Sequence, residues 1–70
     1  MTSPTLEGAR NLAGHLGLRS GTFTILLHVD GYYWVRVYNV PGARLPENRP
    51  DAWEGYPIKY DIGVARPKAA

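Results

Sequence analysis

FTILLHVDGYYWVRVYN, residues 23–39, decides the fold of this 70-residue chain. Two runs rich in β-branched and aromatic residues, Phe23 to Val29 and Tyr32 to Asn39, flank Asp30-Gly31, the pair favoured in a two-residue type I′ hairpin turn. The stretch reads as a β-hairpin. A two-residue turn sets Val29 opposite Tyr32, Leu27 opposite Trp34, Ile25 opposite Arg36 and Phe23 opposite Tyr38 on one face of the sheet. The other face then carries Thr24, Leu26, His28, Tyr33, Val35 and Val37. Both faces are apolar enough to need cover.

One cover lies upstream. Ser3 and Pro4 suit a helix cap and a first helical position, and Leu6, Ala9, Leu12, Ala13 and Leu16 follow at helical spacing, with Gly17 as the stop. Gly8 and Gly14 lower intrinsic helix propensity by up to about 1 kcal/mol each, so packing has to hold this helix. Downstream, Pro41, Gly42, Pro46, Asn48, Pro50 and Gly55 mark residues 41–55 as a long connection, with a short helical turn expected at Asp51 to Glu54 and Asp51 as its cap. Tyr56 to Val64 reads as a third strand. There Tyr56, Ile58, Tyr60 and Ile62 alternate with Pro57, Lys59, Asp61 and Gly63, giving one buried face and one wet face. The expected fold is a single α+β domain spanning 1–70, with one N-terminal helix on a small three-stranded antiparallel sheet in the order α-β-β-β and a flexible tail at about 66–70. The central strand is one of the two hairpin strands.

Composition narrows the function classes. There is no cysteine to form a disulfide, and His15 and His28 are the only good nitrogen ligands, so neither a structural metal nor a cofactor is expected. A chain this short buries only about 60% of its unfolded surface, which leaves packing or association to stabilise it. No apolar run approaches membrane-spanning length and no signal peptide is apparent; a cytoplasmic protein without a membrane partner is expected. The net charge of +2 comes from basic residues scattered among six acids, with no basic block.

Catalytic machinery is not expected either. His28 lies two residues from Asp30, but the hairpin turn already accounts for Asp30 and no nucleophile accompanies the pair by motif. His15 near a helix C-terminus is explained by the helix dipole. Glu47, Asp51, Glu54 and Asp61 match neither a calcium loop nor a paired-carboxylate hydrolase, and Gly14, Gly17 and Gly21 do not form a phosphate loop.

The function expected is therefore that of a non-catalytic protein-interaction module: a homo-oligomer, adaptor or inhibitor-like accessory protein. It would bind a protein partner or a second copy through a sheet edge or through the aromatic hairpin face of Tyr32, Trp34, Arg36, Tyr38, Phe23 and Ile25, since Trp, Tyr and Arg dominate interface energetics. The competing structural reading folds the long connection back so that Trp53 covers that face. Nucleic acid is the alternative partner. Gly31 to Tyr38 resembles in part the aromatic strand of RNA-recognition motifs, on which bases stack, with Arg36 placed to stack or meet phosphate. It departs from that pattern with Asp30 at the basic position, Tyr33 at the small one and no second helix.

Overall fold

The structure is a computed structural model and describes residues 4–65. Its elements run α1 (Leu6–Leu16), β1 (Phe23–His28), β2 (Tyr32–Tyr38), β3 (Ala52–Trp53) and β4 (Tyr56–Val64). The α+β class and the N-terminal helix are as expected, but the sheet has four strands, not three, and is mixed, not antiparallel. Its order is β1-β2-β4-β3, with β2 and β4 parallel. The central hairpin strand is β2. Parallel neighbours need a connection of about a dozen residues or more, and residues 39–51 supply it.

Helix α1 starts two residues later than Ser3-Pro4 implied; Ser3 itself lies outside the described residues. Thr5 is the cap, in extended conformation, and its Oγ1 accepts the Gly8 N–H at 3.0 Å. At the other end Gly17 adopts φ 69° and donates to the Ala13 carbonyl at 3.0 Å, a left-handed stop that favours glycine. Ala9, Leu12 and Leu16 of the expected stripe are buried, whereas Leu6 at the helix start is 62% exposed.

The hairpin register differs from the two-residue reading by one residue. His28 pairs with Tyr32, so Val29, Asp30 and Gly31 form a three-residue loop; the Gly31 N–H donates to the His28 carbonyl at 2.9 Å and Gly31 takes φ 91°. This is the type I turn followed by a left-handed residue that closes three-residue hairpins. The slip pairs Phe23 with Val37, Ile25 with Val35 and Leu27 with Tyr33. It therefore puts the apolar residues of both strands on one face, where the two-residue register would have divided them between two. Tyr33, Val35 and Val37 are fully buried there against Ala9, Leu12 and Leu16.

The other half of the sheet completes this core. Ile58 and Tyr60 of β4 lie opposite Tyr33 and Val35, and Ala43 and Leu45 of the connection pack on the same side. The expected alternation holds through Tyr60 and then fails: Ile62 is 63% exposed beside a register shift at Val37/Tyr38. The helical turn expected at 51–54 is instead the short strand β3, which turns through Glu54-Gly55 into β4, while the Asp51 carbonyl accepts the Ile58 N–H at 2.9 Å. Trp53 joins the helix layer. Its Nε1 donates to the Gly8 carbonyl at 3.0 Å and its ring lies 5.0 Å from that of His15. The molecule measures 37 × 31 × 17 Å, a thickness that fits one helix layer on one sheet layer.

Candidate protein-interaction face

Strand alternation turns every second residue of β2 away from the helix. Tyr32, Trp34, Arg36 and Tyr38 consequently line the second face of the sheet together, each half-buried. Phe23 and Ile25, grouped with them by the two-residue register, point to the opposite side: the true register pairs them with buried Val37 and Val35. Trp53 does not cover this second face, because it packs on α1. Among the described residues, no element lies across it.

Trp34 is held at the centre. Its Nε1 donates to Asp61 Oδ2 at 2.6 Å, Lys59 Nζ lies 4.5 Å from its ring centroid, and Arg36 Cζ lies 5.2 Å away. Both cations are within reach of a favourable interaction with the indole, and the hydrogen bond fixes the ring. Parallel pairing makes this possible by setting Trp34 beside Lys59 and Arg36 beside Asp61. On one flank the hydroxyls of Thr24 and Tyr38 are hydrogen-bonded to each other. Toward the hairpin loop His28 stacks on Tyr32, centroids 4.4 Å apart and planes within 9°. A shallow depression of about 360 Å³ is lined by Tyr32, Pro57, Ile58 and Lys59.

Lys59 and Asp61 were read from sequence only as the wet side of β4, and their role beside Trp34 was missed. The signal available was the length of the connection after β2, which permits a parallel crossover as readily as an antiparallel return.

The other candidate side chains have structural partners. The Asp30 N–H donates to His28 Nδ1 at 3.1 Å, and the Asp30 carboxylate lies 3.4 Å from the same nitrogen, so this pair belongs to the hairpin loop. His15 meets Trp53. Among the described residues, no group of three or more His, Asp or Glu side chains comes together in a way that would hold a metal ion, and no helix is long and apolar enough to cross a membrane.

No family model, curated protein or solved structure matches this chain.

Proposed function

We propose that this protein is a non-catalytic interaction module and that the open sheet face centred on Trp34 is where it holds a protein partner. The observation that carries the reading is the state of Trp34. A large aromatic side chain is fixed by Asp61, flanked by Arg36 and Lys59, and placed on a face that α1 does not cover. Such a residue contributes little to a core on the other side of the sheet. It is preorganised to bury its surface against another molecule, and preorganisation reduces the ordering cost of binding. Tyr32 and Tyr38, each tied to a neighbour from β1, extend the same rigid aromatic surface.

A nucleic-acid reading draws on the same cations at the indole. Against it stands Asp61, whose carboxylate is bonded to the indole edge where a phosphate would approach, and the lack of a concentrated basic surface.

The test compares wild type with Trp34→Ala and Arg36→Glu in affinity capture, followed by direct titration of the captured species at two salt concentrations. A protein partner is expected, with Trp34→Ala weakening its binding by about 2 kcal/mol or more, roughly 30-fold, while the variant still unfolds cooperatively. Equal binding by wild type and both variants rejects the face as the site. Capture of RNA or DNA, with affinity falling steeply as salt rises, replaces the protein reading with the nucleic-acid one.

A further inference from the structure

The two edges of the sheet are built differently. At the far edge β3 is only two residues long, and β4 beside it contains Pro57, Lys59 and Asp61 and bends at a register shift near its end, while the Tyr60 hydroxyl donates to the Pro50 carbonyl of the connection at 2.6 Å. Proline, charge, irregularity and loop cover are the ordinary devices that stop a sheet edge from pairing with another chain. Strand β1 at the opposite edge has none of them. Its sequence, Phe23-Thr24-Ile25-Leu26-Leu27-His28, contains no proline, lysine, glutamate or aspartate, and it pairs with β2 without a bulge. Among the described residues, no strand pairs with its outer side.

The direction of its free backbone groups follows from the ladder. The Tyr38 N–H bonds to the Thr22 carbonyl and the Gly31 N–H to the His28 carbonyl, both at 2.9 Å, so the even-numbered residues of β1 turn their amides toward β2. The amides and carbonyls of Phe23, Ile25 and Leu27 therefore point outward. These three are spaced evenly about Ile25.

We propose that β1 pairs antiparallel with β1 of a second copy about a two-fold axis at Ile25, joining two four-stranded sheets into one. In that register Ile25 faces Ile25 of the second copy and Phe23 faces its Leu27, so every outward amide and carbonyl finds a partner in about six hydrogen bonds. The register is the one that leaves none of the three residues unmatched. No like charges meet across the axis, because the strand contains no lysine, arginine, aspartate or glutamate. The antiparallel arrangement brings the Arg19 end of one chain toward the Asp30 end of the other, a complementary pairing of charge that a strand of arbitrary sequence would lack.

A groove beside the edge takes the side chain this register delivers. Leu6, Ala9, Arg10 and Ala13 of α1, with Phe23, Thr24 and Ile25, line a depression of about 240 Å³ between helix and strand. Leu27 of the second copy, opposite Phe23 on the helix side, projects over it. Leu6, 62% exposed, and Leu27, 39% exposed, are the groups that such a contact removes from water. The open face with Trp34 lies on the other side of the sheet and is left free, so the dimer and the proposed partner site stand or fall separately.

The test uses the full chain. Light scattering is run from about 5 µM to 1 mM, with amide hydrogen exchange read residue by residue at both ends of the range. The expected result is a mass rising toward twice the 7.8 kDa of one chain. Over the same range, exchange at Phe23, Ile25 and Leu27 should slow by at least about tenfold, while Thr24, Leu26 and His28 are protected throughout. Leu27→Pro, which removes an outward N–H and no intrachain bond, and Leu27→Lys are each expected to give a folded monomer, and Trp34→Ala a dimer. A monomer up to 1 mM overturns the proposal. So does a dimer in which residues 23, 25 and 27 exchange at loop rates, or one that Trp34→Ala disrupts and a folded Leu27→Pro does not. If the proline variant fails to fold, the exchange pattern of the wild type decides alone.

Discussion

Replacing Gly8 with alanine should destabilise this protein although it places a better helix former in a helix. A Cβ built on Gly8 falls 2.3 Å from Tyr33 Oη, 3.0 Å from Glu54 Oε1 and 3.1 Å from Thr5 Oγ1. The first distance is far inside van der Waals contact, and Tyr33 cannot withdraw because its ring is fully buried in the core. Helix and sheet would have to separate by about 1 Å, which puts the overpacking cost in the upper part of its usual range, about 2–3 kcal/mol, against the roughly 1 kcal/mol gained in helix propensity. The net expectation is a loss of about 1–2 kcal/mol, or a fall in Tm of roughly 4–16 °C in a domain of this size. Gly14→Ala is the control. No atom lies within 4 Å of a Cβ there, so the propensity gain stands alone and Tm should rise. Tyr33→Phe tests the cause, since it deletes the clashing oxygen, a buried hydroxyl with no hydrogen-bond partner among the described residues. In a double-mutant cycle by thermal or urea unfolding, Tyr33→Phe should rescue Gly8→Ala with a coupling of about 1 kcal/mol or more. A Gly8→Ala protein as stable as wild type, or a coupling near zero, refutes the close approach of helix and Tyr33 described above.

Thr5→Ala removes the cap that accepts the Gly8 N–H and should cost about 1 kcal/mol, read as a lower urea midpoint at unchanged m, with Thr5→Ser retaining most of the stability. Burial raises the Tyr60 hydroxyl above its ordinary value, with Arg49 opposing and Asp51 adding to the shift. A raised folded-state value means that the stabilising contribution is complete below about pH 10, where the unfolded chain begins to ionise, and is lost as pH rises through the folded value. Tyr60→Phe should flatten that alkaline decline relative to wild type in unfolding measured from pH 8 to 11; identical slopes would contradict it.

The parts of the fold legible in the sequence were those set by local pattern. The apolar stripe placed α1, and alternation placed β4 over Tyr56 to Val64 as observed. The hairpin was legible as an element but its register was not, because Asp30-Gly31 suits both a two-residue turn and the second half of a three-residue loop. The tie is broken by tertiary structure: only the longer loop sets Phe23, Ile25 and Leu27 beside Tyr33, Val35 and Val37, and a single helix can then cover the whole apolar set. Matching apolar residues across the turn would have found it. The place of Trp53 stayed open in the sequence, with cover of the far sheet face as one option, because its hydrogen bond to the Gly8 carbonyl joins residues 45 apart that no local pattern connects. Of the open sheet face, the four aromatic and basic residues of β2 were legible from alternation alone. Asp61 and Lys59 were not, because their neighbours depend on the parallel pairing of strands distant in sequence.

That pairing also governs how fast the chain reaches its native state. Hairpin partners lie close in sequence, and such hairpins close in about 1–10 µs, whereas Tyr33 and Ile58 are about 25 residues apart and must find each other across the 39–51 connection. The entropy of closing that loop is spent before any β2–β4 contact returns it, which makes docking of β4 the slow step and ties the folding rate to the connection's length. By loop-closure scaling, doubling the connection adds about 0.6 kcal/mol to that step, roughly a threefold slowing. The segment poorest in regular structure is in this sense the clock of the whole domain.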